Sequence, residues 1–450
     1  MPETEPPDQP SIPETPVVEE HPYAVFENRD FTAYLIARFI AAFGQQMLTV
    51  AVDWELYERT GSPLALGFVG LSLMVPMILC TLPAGHLADT IDRKKIILGS
   101  TAVLGFASLA LTLVSAFTGA HVKAFKIYVY LLLVVIGAAR TFLWPASAAF
   151  IPGLVERRQL ARAVTFNSAS FQLSAVLGPA TAGVIIWLAH GAWLVYAINI
   201  VAAFVAFLLV RPIRHQQKFA AREPVSMKVL IAGFRFIFAN KIILGTISLD
   251  MFAVLLGGAV SLLPIFAKDI LQSGPYGLGL LRAATPIGAV LCAFIIAHRP
   301  PLKKAGGTML WAVAIFGVAT ILFGLMNHES LGRWITASNA VWFSLAFLML
   351  ALSGFVDNIS VVVRQTLVQL LTPDEKRGRV SAVNSLFIGT SNELGGAESG
   401  FTAYMFGPMI HNSVATGTIL SVVTGGFGTL AVVLAVAWIW PEIRRYGKLS

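Results

Sequence analysis

Charge is scarce in this sequence. Asp, Glu, Lys and Arg make up 12% of its 450 residues, against roughly 25% in a soluble domain. So few charges over so long a chain cannot cover a water-soluble surface. Cysteine is nearly absent: Cys80 and Cys292 both fall in apolar stretches, without metal spacing or a disulfide framework, and read as small apolar packing residues. There is no Gly-rich phosphate loop, no histidine cluster and no Ser-His-Asp set. ATP is therefore not expected as the energy source, and neither a metal, a cofactor nor an enzymatic activity is expected. A cleavable leader is also missing: residues 1–24 are rich in Pro and Glu, lack an apolar core, and read as a disordered acidic tail.

What the sequence does contain is apolar runs, with 56% hydrophobic residues. The runs are about 20 residues long, enough to cross a bilayer as helices. They fall at 31–57, 63–88, 94–118, 125–150, 162–188, 192–211, 241–267, 275–297, 305–326, 337–365, 378–407 and 415–440. The prediction is an all-α integral membrane protein with twelve transmembrane helices in two six-helix halves, residues 25–211 and 241–441. A linker at 212–240 joins them, with an amphipathic helix expected over Val225–Ala239, and a short tail follows at 442–450. With the N-terminus inside, 23 of the 32 Lys and Arg lie on the inner side and five on the outer. That asymmetry predicts a multi-pass protein of the plasma (inner) membrane with both termini cytoplasmic. It also accounts for the net charge of +8, so the bilayer, and not a nucleic acid, is the expected large partner.

The two halves share a repeat. Arg162, Asn167, Ser168, Gly178 and Gly183 match Arg379, Asn384, Ser385, Gly395 and Gly400, each 217 residues later. Repeated halves are a common construction of secondary transporters.

Ionisable side chains inside a span are costly unless paired or hydrated, so each is a functional candidate. In the first span Arg38, Gln45, Gln46, Thr49 and Asp53 fall mostly on one helical face, as a cavity wall requires. Asp53 and Glu55 lie close to the outer end, where simple solvation is the competing reading. Arg140, near mid-depth of the fourth span, reads either as a coupling residue or as a tie between helices. Asp250, in the seventh span before Gly257-Gly258, is a proton-carrier candidate, or else the partner of an intramembrane arginine. Asp357 and Arg364 lie two turns apart on one face of the tenth span, with Arg364 expected close to the cytoplasmic surface. Glu393 and Glu398 lie among small residues of the eleventh span, which permit close packing. Arg282, in the eighth span, completes the set.

One charged stretch separates the second and third runs: Gly85-His86-Leu87-Ala88-Asp89-Thr90-Ile91-Asp92-Arg93-Lys94-Lys95. Topology needs its cations; it does not need Asp89. With Gly85, Leu87, Asp89, Arg93 and Lys94, the stretch resembles the Gly-x-Leu-x-Asp-x-x-x-Arg-Lys loop of the major facilitator superfamily, with Asp92 where the family has a second glycine. Trp54–Pro63, Arg364–Gln369, Arg377–Asn384 and Ser391–Gly395 resemble, more narrowly, its transmembrane secretion effector branch, which includes enterobactin-exporter-like and macrolide-efflux-like proteins. The resemblance covers residues 25–440. It implies the major facilitator fold, alternating access, and Gly85, Asp89, Arg93 and Lys94 as an inner gate that bridges to the second half.

The expected function is secondary active transport: proton-coupled export of a small amphipathic organic molecule of siderophore or drug type, by a monomer. Uptake or facilitated diffusion of a small nutrient is the alternative within transport. A non-transporting sensor or scaffold is the alternative outside it.

Overall fold

The first spans begin and end on local chemistry that the sequence supplies. The first, Arg29–Thr60, starts at Asn28, whose side chain accepts from the Phe31 amide at 3.1 Å. It stops at Gly61, which adopts the left-handed conformation at φ 58° that glycine tolerates. Pro63 then opens the second span, Pro63–Thr90. The third, Arg93–Phe117, is capped by Asp92, whose carboxylate accepts from the Lys94 amide at 2.9 Å. The computed structural model describes residues 21, 23–119, 121–214, 227–299, 304–332, 335–409 and 413–447. The acidic tail, apart from its last few residues, and the front of the linker lie outside them.

The remaining spans are Val122–Phe150, Leu160–Ala189, Trp193–Val210, Lys241–Ile270, Gly274–Ala297, Ala305–Leu325, Asn339–Leu371, Asp374–Met409 and Val414–Ile439. Eleven of the twelve are long and apolar enough to cross a membrane. The exception is the eleventh, Asp374–Met409, long enough at 36 residues but polar. It packs along the second span, at the junction of the halves, where polar residues need not meet lipid. Large apolar side chains cover the outside, Phe117 at 82% and Trp438 at 84% exposure among them, as a lipid-facing surface requires. The seventh span is interrupted: a regular helix ends at Leu256, Gly257 and Gly258 follow, and shorter turns carry the chain to Ile270. The tenth runs to Leu371, six residues past its expected end. The linker contributes a helix at Met227–Ala239, which lies under the eleventh span with Ile237 buried against Val380 and Val383.

Two six-helix halves are visible in how the spans pair. Spans 1–5, 1–6, 2–4, 3–4 and 3–6 pack together, and so do 7–11, 7–12, 8–10, 9–10 and 9–12, the same set six spans later. The halves meet through spans 2–11 and 5–8, which exchange under the same relation. The repeated glycines sit at these meetings. Gly178 packs on the first span and Gly395 on the seventh, while Gly183 packs on Gly279 of the eighth span and Gly400 on Gly67 of the second. A methyl group on Gly400 would lie 2.6 Å from the Gly67 Cα, which no relaxed structure tolerates.

The two ends of the bundle differ. At the end remote from the Gly85–Lys95 loop, here the far end, one apolar core runs through both halves, from Met47 and Leu66 to Leu263, Leu281 and Trp342. At the loop end there are separate cores. One holds Phe31, Tyr34, Ile97 and Phe150 of the first half; another holds Leu249, Met309, Val363 and Val436 of the second. Spans 4 and 10 do not pack along each other. The bundle is shut at the far end, and at the loop end the cores are separate except where Leu82 of the second span packs against the cluster of Ile243, Val380 and Val383. Gly400→Val is expected to push the halves apart at the far end, because overpacking a tight contact costs about 1–3 kcal/mol. Spin labels on spans 2 and 11 should report a longer distance there, and an unchanged distance would contradict the role given to the glycine.

Candidate functional site

The first span carries the polar face that its sequence announces. Arg38, Gln45 and Thr49 line a cavity of about 220 Å³ inside the first half, together with Arg140, Trp144 and Phe171 from the fourth and fifth spans. Arg140 donates from Nε and Nη2 to the Gln45 side-chain oxygen at 3.1 and 2.9 Å, and from Nη2 to the Thr49 hydroxyl at 3.3 Å. The guanidinium is thus aimed along the face of the first span. The Arg38 guanidinium lies 5.9 Å from the centre of the Trp144 ring. Among the described residues no carboxylate lines this cavity.

Toward the far end the face meets the second half. Asp53 forms a direct ion pair with Arg282 of the eighth span. One turn on, the Tyr57 hydroxyl donates to Asp269 in the last turn of the seventh span, and Lys268 lies 5.7 Å from the Tyr57 ring centre. The solvated reading of Asp53 and Glu55 is corrected here: they are 6% and 4% exposed. Glu55 accepts from Ser115 at 2.6 Å, from Tyr196 at 2.7 Å and from Arg59 at 2.7 Å, an interior knot tying spans 1, 3 and 6.

Arg140 is also within electrostatic range of Glu393, Asp53 and Arg282. Two cations and two carboxylates, one of each sign from each half, therefore lie within electrostatic range of one another. Only Asp53 and Arg282 touch. Glu393 has no ion pair among the described residues, and its backbone carbonyl packs against Gly70 of the second span. The Glu398 carboxylate, five residues on, has only the Ser399 hydroxyl at 3.5 Å among the described hydrogen bonds.

Deeper in the second half, Asp250 is paired with Arg364 at 3.0 Å, the two residues 7% and 2% exposed. Arg364 also donates to the Asn384 side-chain oxygen at 3.4 Å. Its expected place at the surface is corrected by the length of the tenth span, which keeps it buried. Asp357 lies within electrostatic range of the pair. The 217-residue offset puts Ser147 at the position matching Arg364, and in the first half the Ser147 hydroxyl and the Asn167 side-chain oxygen are buried without partners among the described residues. Among the described residues the Asp250–Arg364 cluster has no counterpart in the first half.

The Gly85–Lys95 loop stays within the first half in its described bonds. Arg93 donates to the carbonyls of Ala88 at 3.2 Å and Ala149 at 2.8 Å, and Lys94 to that of Ile213 at 2.8 Å. Asp89 is half-buried without a described partner, and Gly85 lies in the last turns of the second span. Of the residues now seen to matter, Arg282 was marked by its place in a span, but not as the partner of Asp53. Tyr57 and Asp269 carried no signal, being ordinary residues close to span ends.

The sequence pattern of the family described as transmembrane secretion effector matches residues 20–437. The enterobactin exporter EntS of Shigella boydii serotype 4 (strain Sb227) is 27% identical over 419 residues, covering 92% of this chain and 93% of that protein. EntS of Escherichia coli O1:K1 / APEC matches to the same extent. Among solved structures, a bacterial homologue of the iron transporter ferroportin in the inward-facing state superposes with a TM-score of 0.66 at 16% identity, over 93% of this chain and 99% of that one. The nucleoside transporter NupG does so with 0.68 at 14%, over 93% and 99%.

Proposed function

This chain belongs to the transmembrane secretion effector family, a multi-pass branch of the major facilitator transporters, and from that premise we propose that it exports a small amphipathic organic molecule of siderophore or drug type in exchange for protons. The curated relatives are exporters of enterobactin, which makes that compound the first cargo to test. The reading places the Gly85–Lys95 loop and both termini in the cytoplasm of the inner membrane. The loop end, where the cores are largely separate, then faces the cytoplasm, ready to load cargo.

The observation that carries this reading is the set of four charges, two from each half, within electrostatic range of one another in a bundle shut at one end. A transporter alternates by making contacts at one end as it breaks them at the other. Asp53–Arg282 and Tyr57–Asp269 are the far-end contacts. At the other end, Asp89 has no described partner and is the group assigned to meet the second half when that end closes. Glu393 is assigned as the proton carrier. It lies within electrostatic range of Arg140 without a direct ion pair, so gaining or losing a proton changes the attraction between the halves. Asp250 is a poorer carrier than its sequence position suggests, because Arg364 already occupies it.

Inside-out vesicles test the reading. An imposed proton gradient should drive accumulation of enterobactin or of a drug-type cargo. Glu393→Gln should reduce this to the level of vesicles without the protein, while leaving exchange of labelled for unlabelled cargo intact. Accumulation that survives collapse of the gradient would overturn the proton coupling.

A further inference from the structure

Among the described residues, the cavity in the first half is lined by two guanidinium groups and no carboxylate. Arg38 lies nine residues into its span, about 14 Å along the helix at 1.5 Å per residue. Among the described residues it has neither a hydrogen bond nor an ion pair; it lies over the face of Trp144 and within electrostatic range of Tyr34. The bonds of Arg140 use Nε and Nη2, leaving Nη1 for the cavity. A cation such as Arg38, with no carboxylate paired to it among the described residues, costs several kcal/mol unless water or an anion meets it, and Arg140 has Glu393 and Asp53 only at longer range. The apolar walls are as specific. Trp144 and Phe171 stand edge to face, with ring centres 6.0 Å apart and an angle of 88°. Trp144 is 61% exposed and lines the cavity, so its ring has surface free for a guest.

The geometry points to an organic-anion subsite, in which Arg38 and Arg140 take a carboxylate or phenolate and Trp144 and Phe171 hold the aromatic ring that bears it. The corner between the two rings accepts a flat guest stacked on one and edge-on to the other. Arg38, already over the indole, reaches the anionic substituent of a ring placed there. Gln45 holds Arg140 in position without neutralising it. At about 220 Å³ the cavity is smaller than the roughly 300–1,000 Å³ of sites that enclose a drug-sized ligand. It therefore takes one ring-bearing arm of a larger cargo, and the rest lies in the cleft between the halves. The inference rests on the transport reading for where the cargo goes, but not for what the cavity binds.

Equilibrium binding to the purified full-length protein in lipid nanodiscs tests it with three simple probes: salicylate, cyclohexanecarboxylate and benzyltrimethylammonium. Salicylate should bind best. Cyclohexanecarboxylate, which keeps the charge and loses the aromatic ring, should bind more weakly, and the aromatic cation should not compete. Arg38→Gln should weaken salicylate by about tenfold or more, as expected for loss of a charge-assisted contact. Arg38→Lys keeps the charge and guards against misfolding, and should recover part of the loss. Trp144→Leu should bring salicylate down to the level of cyclohexanecarboxylate. Competition by benzyltrimethylammonium as strong as that by salicylate, or full salicylate affinity in Arg38→Gln, would overturn the subsite. Failure of the two readings can be told apart. Salicylate binding without any gradient-driven transport sinks the export reading and keeps the subsite. Gradient-driven transport of a neutral or cationic cargo, with no salicylate binding, does the reverse.

Discussion

Arg364→Leu is expected to be the most destabilising single change in this protein. Arg364 is 2% exposed and holds Asp250 at 3.0 Å and Asn384 at 3.4 Å, joining spans 7, 10 and 11 with one side chain. Removing one member of a buried ion pair leaves the other charged and unmatched, which costs about 3–5 kcal/mol. The loss should appear as reduced folded yield and a lower denaturant midpoint in mixed micelles. Asp250→Asn combined with Arg364→Leu should recover much of it, since replacing both partners removes the stranded charge. The double-mutant cycle is the measurement. A single variant as stable as the parent would show that the three spans are held by apolar packing alone. A stable but inactive double variant would show that the pair also serves transport.

Arg282→Gln should have the largest effect on the transport cycle itself. Arg282 is the second-half partner of Asp53, and the contact closes the end remote from the Gly85–Lys95 loop. Without it the far end keeps Tyr57–Asp269, the glycine contacts of spans 2–11 and 5–8, and the apolar core shared by the halves. A coupling of about 1–3 kcal/mol between conformations corresponds to a 5–150-fold change in their ratio. Distance measurements between labels at Thr60 and Ser273 should show a population with that end open, and gradient-driven transport should fall. Exchanging the charges, Asp53→Arg with Arg282→Asp, should restore part of both. If the swap restores neither while Arg282→Gln folds normally, the pair is not the latch, and Arg282 acts through Arg140 and Glu393 instead. Tyr57→Phe should give a smaller change in the same direction, since it removes one hydrogen bond and keeps the ring.

Much of the site was visible in the sequence as a set of residues and invisible as a set of partnerships. An arginine or carboxylate within an apolar run stands out because the cost of burying it is local. Arg38, Asp53, Arg140, Asp250, Arg282, Asp357, Arg364, Glu393 and Glu398 all declared themselves this way. Which of them meet depends on how helices far apart in the chain lie together. Asp53 and Arg282 are 229 residues apart, and no pattern along the chain relates them. The spacing of Asp357 and Arg364 suggested a common face, yet the partner of Arg364 came from the seventh span. Glu55 was misjudged for the same reason: its distance from a span end implied water, while Ser115 and Tyr196 close over it.

The repeat shows the same division. Glycines at a constant offset were legible as a duplication, but their purpose was not. Only the assembled bundle shows that Gly178 and Gly395 serve contacts within a half, and Gly183 and Gly400 those between halves. Pro63 and Gly67 of the second span have their counterparts in Pro275 and Gly279 of the eighth, a second repeat that emerges once the facing surfaces are known.

By itself, then, the sequence determined the membrane class, the twelve helices and their grouping into two halves, because hydropathy, helix length and turn chemistry are local quantities that add along the chain. The tertiary structure alone decided which end is shut, which charges are spent on ion pairs and which are left to act. Those outcomes depend on distances between helices, and a buried charge is silent or reactive according to what stands within a few ångströms of it.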